Sequence, residues 1–222
     1  MKKALVVLSG GQDSTTCLYW ALDRFGVDAV ESVTFDYGQR HRVELACAAT
    51  VAKFAGVANR CLPIDTFAAL GGDALTDPEL GVASDVDSNT GLPNTFVPGR
   101  NLIFLTYAAA YAYQHDIGHL VTGVAQTDYS GYPDCRQETI DALQTALRLG
   151  MESDVTIHTP LMHLSKKETV ELACDLGALP AMAYTHTCYN GQRPPCGTCP
   201  ACVLRAKGFA EAGVADPLLA AP

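Results

Sequence analysis

The sequence predicts an α/β fold: a doubly wound, mainly parallel sheet of five strands, followed by a small C-terminal metal-binding segment. Two patterns carry this expectation. Short apolar runs rich in β-branched residues alternate with stretches of helical periodicity, and the links between them are short. Strands joined that way run parallel through right-handed crossovers, with helices on both faces. Beyond the last such unit, four cysteines crowd into residues 188–202 among Gly and Pro, a stretch with too little apolar material to fold without a bound metal.

Composition sets the bounds. The 222 residues are 48% hydrophobic and 18% charged, a globular composition with room for a sizeable core. The longest apolar stretch, 101–112, is too short to span a bilayer and is interrupted by Asn, Thr and Tyr, so no membrane partner is expected. Met1-Lys2-Lys3 leads straight into a strand without a cleavage-site pattern, and a cytoplasmic protein is the expectation. Net charge is −9, from 15 Lys plus Arg against 24 Asp plus Glu, which argues against a broad nucleic-acid footprint. Nine cysteines, an odd number, point in that compartment to metal or catalysis before disulfides.

Residues 4–8 (ALVVL) read as the first, fully buried strand. Ser9-Gly10-Gly11-Gln12-Asp13-Ser14 follows, then a helix over 15–25 whose Cys17, Leu18, Ala21, Leu22 and Phe25 share one side. Strand, glycine turn and helix start together make an anion site. The first N–H groups of a helix lack partners, the dipole adds positive charge, and glycines let a phosphate approach the backbone. Asp13 and Ser14 can cap the helix, and Ser14 and Thr15 can donate hydroxyl bonds to phosphate oxygens. Neither G-x-x-x-x-G-K-[ST] nor G-x-G-x-x-G is matched. The competing reading is an ordinary glycine turn before a capped helix.

Residues 29–35 form the second predicted strand, ending at Asp36-Tyr37-Gly38-Gln39-Arg40-His41-Arg42; 43–55 form a helix and 59–64 a third strand. The glycine turn and the Tyr37 turn both fall beyond the carboxyl ends of strands, where such sheets bind ligands. Otherwise Tyr37 and Arg40 read as a capped turn with solvated side chains. Residues 66–95 are a long loop rich in Gly, Asp, Pro and Ser, with a short helix near 67–70, the usual material of a lid. Phe96-Val97-Pro98-Gly99-Arg100-Asn101 turns into a helix over 102–115 that is apolar almost all round and so expected to be buried. Asn101 is its natural cap, while Arg100 at its mouth either reaches an anion or is surface charge.

The fourth strand is expected over 119–125. The loop 126–136 gathers Asp128, Tyr129, Ser130, Tyr132, Asp134, Cys135 and Arg136 at that strand's carboxyl end, the kind of polar loop that lines substrate pockets. Cys135 beside Arg136 has the setting of a nucleophile, but with no partner histidine assignable it reads as a small packed residue. A helix follows over 137–149, a fifth strand over 155–159, and a helix over 165–177 that opens on a capping box from Ser165 to Glu168. Lys166, in the first turn of that helix, opposes its dipole, which points to service for a phosphate.

Cys188, Cys196, Cys199 and Cys202, three of them at C-x-x-C spacing, match a closed tetrahedral zinc site. An iron–sulfur cluster is the rival. The fourth cysteine lies upstream, however, and the C-P ending of a ferredoxin run is missing. Cys17, Cys47, Cys61 and Cys174 sit at apolar positions and read as small core residues. The chain thus divides into an α/β domain over 1–180, a zinc-binding segment over 181–210 and a flexible tail over 211–222.

S-G-G-x-D-S resembles the pyrophosphate loop of ATP pyrophosphatases, which release AMP and pyrophosphate. With FDYGQRHR, FVPGRN, SGYPDCR, the SKKET that follows PLMHL, and the four-cysteine array, in this order from residue 8 to residue 205, the chain resembles the 7-cyano-7-deazaguanine synthase family of queuosine precursor biosynthesis. The resemblance implies an adenine nucleotide alpha hydrolase-like fold and a cytoplasmic homodimer. It implies an ATP-dependent ligase that turns the carboxylate of 7-carboxy-7-deazaguanine into a nitrile with ammonia, through an adenylate and an amide. Leu8, Ser9, Gly10, Gly11, Gln12, Asp13, Ser14, Thr15, Thr16, Cys17 and Leu18 would then bind ATP with magnesium, and Asp13, Ser14 and Lys166 would serve catalysis. Tyr37, Arg40, Arg100, Asn101, Tyr132, Asp134 and Arg136 would bind the substrate, Asp134 accepting from its guanine-like N–H groups, and the four cysteines would hold a structural zinc. The alternative in the same superfamily is a tRNA-sulfurating enzyme whose cysteines carry a cluster, for which a charge of −9 is awkward.

Overall fold

The computed structural model describes residues 3–39, 42–77, 79–82, 90–126 and 132–220. Five strands, β1 (Lys3–Val7), β2 (Val30–Asp36), β3 (Ala58–Pro63), β4 (Ile117–Val121) and β5 (Thr156–His158), form one sheet. Every pairing is parallel, in the order β3-β2-β1-β4-β5. β1 sits in the middle because both of its faces are apolar. Ala4, Val6 and Leu8 face one core cluster and Leu5 faces the other, as the period of two demands. The chain builds outward to β3 and then returns to place β4 on the other side of β1. Strand order therefore reverses between β1 and β4, and a crevice opens beyond their carboxyl ends.

Helices cover both faces. α1 (Gln12–Phe25) and α2 (Val43–Phe54) bury Cys17, Leu18, Ala21, Ala48, Val51 and Ala52 on one side. On the other, the short α3 (Thr66–Leu70), α4 (Arg100–Gln114) and α5 (Gln137–Met151) supply Phe67, Ala108, Ala109, Ala112 and Leu147. α6 (Lys166–Asp175), α7 (Leu179–Met182), α8 (Pro200–Glu211) and α9 (Pro217–Ala220) complete the chain. The capping box of α6 forms as expected. The Ser165 N–H donates to Glu168 at 2.7 Å, the Glu168 N–H donates to Ser165 Oγ at 3.3 Å, and these donors hold the Glu168 carboxyl below its usual range.

Several expectations are corrected. α1 begins at Gln12 and α4 at Arg100, each earlier than the sequence pattern indicated. α4 is not buried all round: its small residues face the sheet, while Tyr107 and Tyr113 are 48% and 62% exposed, since a tyrosine can rest its ring on the surface with the hydroxyl wet. Cys61 is exposed, not core, because β3 is an edge strand only partly covered. The stretch 212–220 is not frayed. Asp216 folds back onto Arg205 of α8 with contacts of 2.6 and 2.7 Å, and Leu218 is buried.

Candidate active site

A cavity of about 290 Å³ occupies the crevice between β1 and β4. Its first wall is the loop after β1. Here Ser14 Oγ accepts the Ser9 N–H at 3.2 Å and donates to the Gly11 carbonyl at 3.2 Å, closing the turn on itself. Gly10 has φ of +84°, and a Cβ there would lie 2.4 Å from the Glu44 carbonyl oxygen and 2.7 Å from the Ala48 nitrogen of α2, so only glycine lets this helix seat against the loop. Gly11 is different. A Cβ there would meet nothing closer than 3.5 Å, and its backbone is in the cavity wall. Gly11 also caps α1 with no side-chain hydrogen bond, leaving N–H groups of the first turn available to an anion.

The hydroxyl of Thr15 donates to the Gly11 carbonyl at 2.8 Å and that of Thr16 to the Gln12 carbonyl at 3.0 Å, with both residues fully buried. Thr15 therefore does not offer its hydroxyl to a phosphate as the sequence reading expected, and Ser14 braces the turn in place of capping the helix. Cys17 and Leu18 pack in the core beneath the loop. The Cys17 thiol donates to the Thr122 carbonyl at 3.5 Å, and burial pushes it well above the usual thiol range.

α6 aims its first residue at this loop. Lys166 Nζ lies 2.7 Å from Asp13 Oδ2 across 153 residues of chain, and both side chains line the cavity. The Asp13 contact offsets the unfavourable position of a cation at a helix N-terminus. Among the described residues, the other carboxylate oxygen, Asp13 Oδ1, and Nε2 of Gln12, the preceding residue, are buried with no hydrogen-bond partner. A buried acceptor and a buried donor left unmet are each costly, and the pair fits a magnesium-bound phosphate: oxygen for the cation, N–H for the anion.

The far wall is aromatic. Tyr37 is buried beside Arg100, whose guanidinium donates to the Tyr37 hydroxyl at 3.4 Å and lies 5.8 Å from its ring centre. Burial drives the Tyr37 hydroxyl pKa upward, so it stays protonated. Gln39 sets the turn, accepting the Tyr37 N–H at 2.8 Å and donating to Glu44 at 3.1 Å. Tyr132, Phe104 and Leu75 continue the wall, and Tyr132 shares a 2.7 Å hydrogen bond with Thr95.

The structure brings Leu8, Ser9, Gly11, Gln12, Asp13, Ser14, Tyr37, Arg100, Asn101, Tyr132 and Lys166 around one space. It does not bring all. Asp134 is 4% exposed and its Oδ2 accepts the Asn101 N–H at 2.9 Å. Thus Asp134, and not Asn101, satisfies the start of α4, in place of the guanine-recognition role expected for it. Arg136 is exposed and outside the wall. Cys135, read as packed, lies in the wall, with its thiol accepting from Asn101 Nδ2 at 3.3 Å. Arg40, His41, Asp128, Tyr129 and Ser130 lie outside the described residues.

Sequence reasoning missed residues 122–125 beyond β4, together with Glu44, His186, Thr187 and Tyr189. The last three come from the approach to the cysteines. The His186 N–H donates to the Gly10 carbonyl at 2.8 Å, which stitches that segment to the phosphate loop.

The sulfurs of Cys188, Cys196, Cys199 and Cys202 lie within 4.8 Å of one another, and Cys196 and Cys202 are 3.9 Å apart. Four sulfurs at about 2.3 Å from a tetrahedral zinc would stand roughly 3.8 Å apart. Backbone N–H groups support the set: Cys199 donates to Cys196 Sγ at 3.3 Å and Cys196 to Cys188 Sγ at 3.5 Å. Donors from Thr198 and Cys199 pull the Cys196 thiol to about 5, whereas burial raises those of Cys199 and Cys202. Such a donor set fits a cation that neutralises buried thiolates.

The model of the queuosine biosynthesis protein QueC matches residues 3–213. The 7-cyano-7-deazaguanine synthase of Chromobacterium violaceum is 69% identical over 98% of this chain and 93% of that protein. That of Laribacter hongkongensis is 65% identical over 97% and 93%. Among solved structures, a 4-thiouridine synthetase–RNA complex with bound ATP aligns at a TM-score of 0.50 with 21% identity, over 96% of this chain and 50% of that one. A predicted tRNA methyltransferase subunit from Methanocaldococcus jannaschii aligns at 0.50 with 16% identity, over 78% and 75%. These two likenesses speak to the fold alone.

Proposed function

Because the chain belongs to the queuosine biosynthesis protein QueC family, we propose that its cavity carries out both activations that turn 7-carboxy-7-deazaguanine into 7-cyano-7-deazaguanine. It is an ATP-dependent enzyme of the ligase kind, in queuosine precursor biosynthesis. The observation that carries the reading is the joining of two unlike walls in one space: an uncapped helix terminus with Asp13 and Lys166, and an aromatic wall with Arg100. The first suits a triphosphate and the second a planar heterocycle bearing a carboxylate.

The chemistry follows from the two ends. A carboxylate is a poor electrophile. Its oxygen attacks the α-phosphorus of ATP, pyrophosphate leaves, and an acyl adenylate forms. Ammonia displaces AMP to give the amide. The amide oxygen attacks a second ATP in the same way, releasing pyrophosphate, and loss of AMP and both amide N–H protons leaves the nitrile. The N–H groups at the start of α1 would bind the departing pyrophosphate, and Gln12 Nε2 would donate to it. Lys166 would stabilise the charge developing on the phosphate, held on line by Asp13. Magnesium, bound at Asp13 Oδ1, would neutralise phosphate charge. Tyr37, Arg100 and Tyr132 would hold the deazaguanine, with Arg100 on its carboxylate. Zinc on the four cysteines would tie residues 186–189 to the phosphate loop.

We take the enzyme to act in the cytoplasm, where its thiols stay reduced, as a homodimer using ammonia. Mass spectrometry of a reaction of ATP, ammonium and 7-carboxy-7-deazaguanine tests the reading. The expected products are the nitrile and two AMP per turnover; ADP in place of AMP, or no nitrile, would overturn it.

A further inference from the structure

The cysteine site and the aromatic wall meet at one residue. Tyr189 follows the first cysteine ligand, and its N–H donates to the Cys199 sulfur. Its side chain packs against both the cysteine cluster and the core cluster containing Tyr37 and Phe35. It lines the cavity beside Arg100 and hydrogen-bonds Tyr132, which is itself fixed by Thr95. The backbone of Tyr189 thus belongs to the cysteine site, while its ring belongs to the pocket.

We propose that Tyr189 is a deazaguanine-positioning residue held in place by the cysteine site, so that metal occupancy and substrate affinity are linked. The proposal rests on the deazaguanine reading of the aromatic wall. A planar heterocycle gains from an aromatic face, and a ring anchored at both ends loses little entropy when the ligand arrives. Without metal, the Cys188–Cys199 frame that carries the Tyr189 backbone loses its tie, and the ring loses its fixed position. Linkage is reciprocal: if the metal strengthens substrate binding, the substrate must retain the metal by the same factor. ATP, on the opposite wall, should be indifferent to the ring.

The test uses zinc-loaded protein with an α,β-methylene ATP analogue, which blocks turnover, and measures two quantities. One is the affinity for 7-carboxy-7-deazaguanine by calorimetry. The other is the zinc affinity, read by equilibrium competition with a chromogenic chelator with and without that compound. Tyr189→Leu is expected to weaken deazaguanine binding about tenfold while keeping zinc content and analogue affinity. Deazaguanine should tighten zinc binding in the wild type and in Tyr189→Phe, but not in Tyr189→Leu. Wild-type deazaguanine affinity in Tyr189→Leu, or a zinc affinity indifferent to the compound in the wild type, overturns the inference and leaves the proposed function standing. Loss of analogue affinity in Tyr189→Leu also overturns it, since the ring would then be general support. If the wild type itself does not bind 7-carboxy-7-deazaguanine, the functional reading falls and takes this inference with it.

Discussion

Two adjacent glycines in the phosphate loop have opposite duties. Gly10 is glycine for the protein's sake: its φ is +84° and a Cβ would enter the backbone of α2. Gly11 would be glycine for the ligand's sake under the proposed function, since its conformation is ordinary and a Cβ would find room until a phosphate arrived. Gly10→Ala is therefore expected to destabilise the fold by about 2 kcal/mol or more, through overpacking and strain, read as a lower denaturation midpoint. Gly11→Val is expected to keep the wild-type midpoint and lose ATP binding by calorimetry. Equal stability of the two variants would refute this division of labour. The sequence motif names both glycines but cannot separate them, because the distinction depends on where α2 lies.

At the scale of elements, α8 and α9 are joined by a buried ion pair. Arg205 and Asp216 have side chains 4% and 6% exposed, and Thr185 and Thr187 accept from the same guanidinium at 2.8 and 2.9 Å. Asp216→Ala would leave a buried charge unmatched, with an expected cost of about 3–5 kcal/mol in urea denaturation. A near-neutral result would mean the tail is loosely held. Nothing in the Ala- and Pro-rich tail signals this, because the partner that buries Asp216 is on another element. The strand–turn–helix units were legible for the opposite reason. Their periodicity and their motifs are local, as are the capping box at Ser165 and the spacing of the cysteines. The Asp134 cap of α4 and the Asp13–Lys166 pair were not, since each joins residues distant in the chain. A second element-level device lies between β4, β5 and α1, where His119 Nδ1 and His158 Nε2 are 3.0 Å apart against Trp20 and Phe25. Burial, then His119 and Arg24, lowers the His158 pKa. The unfolded chain therefore takes up its proton more readily, and the folded state loses stability as pH falls below about 6.5. His158→Gln is expected to lose less stability than wild type between pH 7.5 and 5.5. An equal or larger loss would exclude His158 as the source.

At the scale of the whole molecule, the described residues offer one phosphate loop for a proposed reaction that spends two ATP. α1 supplies a single uncapped terminus, Lys166 and Asp13 a single charged pair, and the aromatic wall a single platform. The carboxylate and the later amide hang from the same ring position, so both present an oxygen to the same α-phosphorus if AMP departs between activations. The amide of 7-carboxy-7-deazaguanine, supplied directly, should therefore become the nitrile with ATP and without ammonia, releasing one AMP. Lys166→Met should slow the acid and the amide alike, by about a hundredfold, because both transition states place charge beside the same ammonium. Comparing single-turnover rates of the two substrates in wild type and variant decides the matter. An inert amide, or a variant that slows only the acid, would end the shared-site mechanism. The second activation would then have to be sought at another group on the cavity wall, with Cys135, which bonds Asn101 there, the first to substitute.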